Sequence, residues 1–458
     1  MRGKGFIVAT VTALAVLGTV QLLPAQLFRA RDPGLRGGPA GAGGSLPSLT
    51  DREVEFFDAG KDEFEEAEGV GEGLGPRFNL DSCVGCHIQP AAGGSSPAVN
   101  PQVAIATAFG ARNFVLSFIR TNGPVREARF KYNPDGGRDG GVHALFVISG
   151  RLDPSGDARG CNIVQDNFDA EIARNNVIFR IPTPTFGAGL IEAIPERTIL
   201  ANRAANASEK SSLGIFGRPN RITGDPNTNG NDGTITRFGW KAQNKSLLIF
   251  SAEAYNVEMG ITNEGFQSER DETPSCQLAP VPNDVTDTEA TTTPAGISAI
   301  EKFAFFMRFL APPTPSSFSP GGSASIGRGR FLFGAIGCAY CHTPSLQTGN
   351  HPVAALRFQT ANLFSDVLLH NMGAGLADDI LQGEAGPDEF RTAPLWGLGK
   401  RIFFLHDGRT DDLVVAIQAH RSAATTRYQA SEANEVINNY NNLPEGQKQD
   451  LLNFLRSL

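Results

Sequence analysis

Histidine, methionine, tyrosine and tryptophan are all scarce in this chain, at seven, four, five and two of 458 residues. Any metal centre built on histidine or methionine must therefore draw on a set small enough to enumerate. Basic residues are not in excess. Lys and Arg number 40 against 48 Asp and Glu, a net charge of −8, which argues against nucleic acid as a partner. No internal repeat stands out beyond one pentapeptide. Hydrophobic residues make up 40% and charged residues 19%, a globular composition. Phe is abundant at 31, and 52 Gly with 29 Pro imply many loops. This length suits two or three domains rather than one small one.

The six cysteines carry the most information. Cys338-Ala339-Tyr340-Cys341-His342 has two thiols two residues apart with histidine directly after. Covalent attachment of a c-type haem requires that arrangement: two thioether bonds to the porphyrin, and an imidazole turned under the ring as proximal iron ligand. The pattern recurs at Cys83-Val84-Gly85-Cys86-His87. Two copies imply two covalently bound haem c groups, with His87 and His342 as proximal ligands. A zinc protein is the weaker reading. The two cysteine pairs lie far apart, and zinc does not require a histidine directly after each.

Arg2 and Lys4 precede an apolar run, Phe6 to Leu23, which resembles a secretion signal. Pro24-Ala25-Gln26 offers a small residue but no clean Ala-x-Ala site. An uncleaved membrane anchor is the alternative, since the run approaches the roughly 20 residues that span a bilayer. Either way the body of the protein is expected outside the cytoplasm, in a periplasmic or other extracytoplasmic space. Haem c attachment agrees with that. Cys161 and Cys276 remain as a pair, and an oxidising compartment favours a disulfide between them.

Residues 1–30 are thus assigned to signal or anchor, and 31–48 (Gly, Pro, Ala, Ser) to a flexible linker. Residues 49–311 form an N-terminal haem domain with a large insertion. A helix should start after Thr50 with Glu53 completing a capping box, its apolar positions Val54, Phe57, Phe64 and Ala67 at near-helical spacing. Residues 92–160 should be irregular. Val177-Ile178-Phe179-Arg180-Ile181-Pro182 reads as a strand ended by its proline, Leu190 to Leu200 as a short helix, and Ile297 to Leu310 as an amphipathic helix. Asp225 to Gly230 partly matches a calcium loop, but Thr236 at the closing position cannot supply a bidentate carboxylate. An EF-hand is therefore not expected; another Ca2+ site stands beside a plain polar turn. Residues 312–322 form a second linker. Residues 323–458 make a C-terminal cytochrome c domain, opened by a helix from Ile326 to Ile336 and closed by one from Pro444 to Leu458. The expected fold class is mainly α: two cytochrome c-like haem domains with long loop-rich insertions and a few short strands.

The distal ligand decides between electron transfer and chemistry at each iron. For the second haem the candidates are His370, Met372, His406 and His420, with His351 less suited because it follows the motif closely. A helix beginning near Thr410 would place Leu413, Ile417 and His420 on one face. A histidine on an apolar face is often only a core residue, and Met372 competes with it. For the first haem nothing local is available. The next histidine is His143 and the next methionine Met259. An open distal site that binds peroxide or dioxygen is the simplest expectation; a fold that brings His143 or Met259 over the iron is the alternative. Trp240 could relay electrons between the haems, or could simply be core.

Several stretches resemble the di-haem oxidoreductase family, also called thiol oxidoreductases. They are Gly73-Leu74-Gly75-Pro76-Arg77-Phe78-Asn79 before the first motif, Arg180-Ile181-Pro182-Thr183-Pro184-Thr185-Phe186-Gly187, Phe238-Gly239-Trp240-Lys241, Arg391-Thr392-Ala393-Pro394-Leu395-Trp396-Gly397, Leu405-His406-Asp407-Gly408-Arg409 and Phe454-Leu455-Arg456-Ser457-Leu458. The family is related to bacterial di-haem cytochrome c peroxidases. It is more distantly similar to rubber oxygenases and to the di-haem enzyme that matures methylamine dehydrogenase. The resemblance implies a distal ligand one helix beyond the His-Asp-Gly turn, which is His420. Two departures stand out. No histidine follows the first motif closely, and Arg421-Ser422-Ala423 replaces the Gly-Gly-Glu of many members.

The expected function is that of an exported peroxidase-type oxidoreductase. A small electron donor, cytochrome or cupredoxin, would reduce the C-terminal haem (His342, His420). Electrons would pass near Trp240 to the N-terminal haem, where peroxide is cleaved. Glu192, near the Phe186-Gly187 motif, is the candidate acid. A pure electron carrier and an oxygenase of an organic substrate are the alternatives. A carrier would show only low-spin spectra.

Overall fold

The computed structural model describes residues 29–221, 234–287, 294–318 and 320–458. The N-terminal apolar run and the Asp225 to Gly230 loop lie outside the described residues. Among those described, no helix is long and apolar enough to cross a membrane.

The first helix, Asp51–Glu65, begins where the sequence places it. The Thr50 hydroxyl accepts from Glu53 N (3.3 Å), and the Glu53 carboxylate accepts from Thr50 N (2.7 Å). Its buried face is Phe57, Gly60 and Phe64. That face packs on the helix Ala299–Phe309, which Ser298 and Glu301 cap in the same way. Phe64 meets Phe306 at 4.8 Å and Phe303 edge-on at 6.2 Å. The two helices approach so closely that a Cβ on Gly60 would stand 2.2 Å from the Lys302 carbonyl. A third helix, Leu247–Met259, adds Tyr255 edge-on to Phe303 at 5.1 Å. These three helices carry the larger apolar core.

A second core joins Gly322–Ala335 to Glu445–Ser457 at the C-terminal end. Phe333 meets Phe454 at 5.5 Å, and Gly329 lies where a Cβ would be 2.0 Å from the Asp450 carbonyl. Any side chain at Gly329 would push these helices apart.

Between the cores the chain is mixed rather than mainly α. About 32% is helical and 11% strand, in small sheets. The largest is antiparallel, in the order Val142–His143, Glu127–Phe130, Val177–Arg180, with Ala128 opposite both His143 and Phe179. Glycine and proline stop long elements here, and loops that cross must still pair buried backbone groups, which short ladders do. The expected helix from Leu190 to Leu200 is two: Ala188–Glu192 and Glu196–Ala204. Pro195 separates them, since it has no N–H to continue the first. Cys161 and Cys276 are joined in a disulfide with Cα atoms 4.7 Å apart.

Residues 31–48, read as a flexible linker, are tied to the body. Asp32 accepts two bonds from the Arg456 guanidinium, at 2.8 and 2.5 Å, and a third from Leu413 N. Leu46 N donates to Phe309 O. Composition hides this, because most of the attachment is backbone bonding, with Asp32 and Arg36 as the side chains that hold it. Arg456 is 2% exposed, so losing its partner would strand a buried charge. Asp32→Ala is expected to destabilise the protein by about 3–5 kcal/mol in chemical unfolding; a change under about 1 kcal/mol would mean that the pair is a surface bridge in effect. Burial raises the Asp32 pKa, but Arg456 outweighs it and holds the carboxyl below its ordinary value. The contribution is therefore present above the ordinary carboxylate pKa and is lost as pH falls through the lowered one.

Candidate functional site

Each Cys-x-x-Cys-His motif forms a single tight turn. Cys83–Cys86 is one helical turn capped by the Ser82 hydroxyl, and His87 N donates to Cys83 O at 3.0 Å. Gly85 lets Leu80 pack against the turn, since a Cβ there would lie 2.0 Å from Leu80 Cδ2 and displace that side chain. At the other motif, His342 N donates to Cys338 O at 2.9 Å. The turn brings both thiols and the imidazole of each motif to the wall of one cavity.

The histidine tautomers follow from their partners. His87 Nδ1 lies 3.0 Å from Gly94 O, His342 Nδ1 3.0 Å from Phe364 O, and His420 Nδ1 2.8 Å from Ala416 O. A carbonyl only accepts, so each Nδ1 carries the hydrogen and each Nε2 keeps its lone pair. Burial pushes His87 and His342 down to about 4, and it lowers His420 as well. All three are neutral at ordinary pH, as metal ligation requires. His420 stands close enough to His342 to depress it further. It lies just beyond the helix Leu413–Gln418, which is shorter than expected, and keeps the helical register through its bond to Ala416 O.

The C-terminal cavity has an empty volume of about 1410 Å³ and a mostly apolar wall that includes Leu413, Ile417, Leu451 and Leu455. The N-terminal cavity, about 1080 Å³, lies among Phe64, Phe303, Met307 and the helix Leu247–Met259. Thiols at thioether spacing, a neutral imidazole with free Nε2 and a large apolar slot in each case fit a haem. Trp240 lines both cavities. Its indole N–H donates to Ile181 O at 2.9 Å, and its ring meets His406 edge-on at 6.4 Å.

The remaining candidates are placed as follows. His370 lines the C-terminal cavity, but Asp366 (2.9 Å) and Glu432 (2.7 Å) occupy both ring nitrogens. His143 is held the same way by Asp139 and Asp166, away from the N-terminal cavity. His351 Nδ1 accepts from Val353 N, and the residue is not on the cavity wall. His406 and Met372 are on that wall; His406 stacks on Phe390 at 4.4 Å. Met259 lines the N-terminal cavity.

Glu192 does not reach the N-terminal cavity. Its carboxylate accepts from Leu247 N (2.9 Å) and pairs with Arg308 (2.8 Å), so it braces two helices. Three acids line the cavity: Glu127 pairs with Arg129, Glu253 accepts from Asn244, and Glu258, which sequence reasoning missed, is left over. Among the described residues its carboxyl has no hydrogen-bond partner. Burial, with Glu127 next, pushes it up to about 8. The available signal was that Glu253 and Glu258 are the only charges in Leu247–Met259.

A family model described as "Di-haem oxidoreductase, putative peroxidase" matches residues 125–458. No curated protein matches the chain. Among solved structures, hydrazine synthase of Kuenenia stuttgartiensis is 18% identical over 35% of this chain and 55% of its own, with a TM-score of 0.23. The chain thus spans about half the length of that protein. A MauG-like protein associated with microbial copper homeostasis is 15% identical over 58% of this chain and 89% of its own, with a TM-score of 0.26. Neither likeness is close enough to carry an argument.

Replacing His420 by alanine in the haem-loaded protein should convert one haem from low to high spin in the paramagnetic resonance spectrum, while Met372→Ala should not. The reverse result would make Met372 the distal ligand.

Proposed function

Because the chain belongs to the di-haem oxidoreductase family, we propose that it is an exported c-type cytochrome enzyme that reduces peroxide at its N-terminal site with electrons received at its C-terminal site. The observation that carries this reading is the asymmetry of the two cavities. Among the described residues, His342 and His420 line the C-terminal one together, whereas His87 is the lone histidine on the N-terminal one. Two opposed imidazoles suit electron storage, and a single one suits a site where a small oxidant binds. When bound, the two haems supply one-electron chemistry and an exchangeable coordination position.

The residues of the chain do the rest. The four motif cysteines would fix the two groups covalently, and His87, His342 and His420 would orient them through the Nδ1–carbonyl bonds. Trp240 stands on the wall between the cavities, which supports a role as relay. Phe64, Phe303 and Met307 exclude water on the N-terminal side. Glu258 holds a proton at neutral pH and can give it to the departing oxygen of peroxide, the role first looked for at Glu192. The Cys161–Cys276 disulfide supports residence in an oxidising compartment. A small cytochrome or cupredoxin is the donor that this reading requires. It includes no calcium.

The test is peroxide reduction by fully haem-loaded protein with a reduced small cytochrome as donor; absence of turnover would refute the proposal. Glu258 is protonated below its raised pKa, so turnover should persist below pH 8 and decline above it. Glu258→Gln should lower kcat by on the order of 10²–10⁴ and abolish that decline. An unchanged pH profile in this variant would remove Glu258 from the mechanism.

A further inference from the structure

Two arginines on the wall of the C-terminal cavity lack a counter-charge. Arg391, 8% exposed, spends one N–H on the Gly239 carbonyl (3.0 Å). Among the described residues, its other guanidinium nitrogens have no acceptor. Arg401 has no side-chain hydrogen bond among them at all, and its charged neighbour is another arginine, Arg456, already committed to Asp32. Burial pushes both guanidinium groups down to about 10.

Other buried arginines are matched. Arg151 has Asp81 and Asp153, Arg180 has Asp378, and Arg237 donates to the carbonyls of Ile191, Glu192 and Ile194. A cation withdrawn from water without a partner is strongly disfavoured, so a wall that keeps two, Arg391 buried and Arg401 half-buried, suits a dianion. The other charged groups on this wall, His370 and Glu432, are bonded to each other.

We infer that Arg391 and Arg401 form the subsite for the two carboxylate arms of the haem anchored at Cys338 and Cys341, and that their charge holds the reduction potential of this centre up. A haem carries two propionates, and two guanidinium forks suit two carboxylates in number and geometry. Without one fork an ionised propionate would be left beside the iron uncompensated, favouring its more positively charged, oxidised state.

The experiment is a potentiometric titration of the haem-loaded protein, with haem content first confirmed by mass and by the pyridine haemochrome spectrum. In Arg401→Leu, and likewise in Arg391→Leu, the reduced-to-oxidised ratio of the low-spin haem at a fixed applied potential should fall on the order of ten-fold, a downward shift of about 59 mV. Arg401→Lys should recover most of that shift, and the other haem should be unaffected. Unshifted midpoints in both loaded leucine variants would overturn the inference. If those variants fail to take up haem, wild-type protein carrying haem 13C-labelled at its propionate carboxyls decides. Its redox-difference infrared spectrum should contain labelled bands of ionised carboxylate only, and a labelled protonated-carboxyl band would overturn the inference. A protein that reduces no peroxide but shows the shift retracts the proposed activity alone; an active peroxidase without the shift retracts only this subsite.

Discussion

Both sites depend on one small interaction, the bond from a buried imidazole Nδ1–H to a backbone carbonyl. It decides which nitrogen keeps a lone pair, and it sets the plane of the ring. The surrounding chain exists in part to hold those carbonyls still. Gly94 O is carried by a tight loop in which Gly94 N donates to His87 O, and Gln89 and Ser95 bridge it. Phe364 O is fixed because Ser365 N and Asp366 N donate to the carbonyls of Thr343 and Cys341. Ala416 O belongs to a helix that starts at the Asp412 cap. Each of these imidazoles is thus oriented by backbone and not by a mobile side chain.

The two cavities share a wall, and that wall is held by buried charge. Asp378 accepts from Arg180 at 2.7 Å and from Lys241 at 3.0 Å. Lys241 also donates to the carbonyls of Gly386 and Glu389. Arg180 comes from the three-stranded sheet, and Lys241 follows Trp240 directly. Removing any member would leave a charge in a dry interior, so the cluster locks the indole between the cavities. The stacking of His406 on Phe390 adds to the same wall. His406, weighed from sequence as an axial ligand, thus also packs against the partition on which Trp240 rests.

What could be read in advance was what chemistry or capping forces to be contiguous. Thioether attachment needs two thiols and a histidine in five residues, so both motifs were plain. The Thr50–Glu53 and Ser298–Glu301 boxes are local, and the helices they open start within a residue or two of expectation. The misses have one cause: each depends on what a distant segment does. Glu192 sits near a characteristic motif, but Arg308 and Leu247 claim its carboxylate. Glu258 faces the cavity only because its helix packs on Ala299–Phe309. His370 and His143 look like free ligands until Asp366, Glu432, Asp139 and Asp166 fold onto them. The Val177 strand was legible, but its partners Glu127–Phe130 and Val142–His143 come from distant crossings that no local periodicity announces.

The charges around the two cavities complete the asymmetry that the histidines begin. On the N-terminal side, Glu127 is paired with Arg129, Arg180 with Asp378, and Glu253 accepts from Asn244. Arg126 donates to the Asp407 carbonyl, and Glu258 is the carboxyl left over, kept neutral by burial. On the C-terminal side the groups left over are two cations. An added electron is stabilised by nearby positive charge, which here offsets the two carboxylate arms assigned to Arg391 and Arg401. Under the proposed function, this distribution would favour electron storage beside His342 and His420 and offer a proton beside His87. In that proposal electrons would arrive from one side and a proton from the other, as reduction of an O–O bond requires.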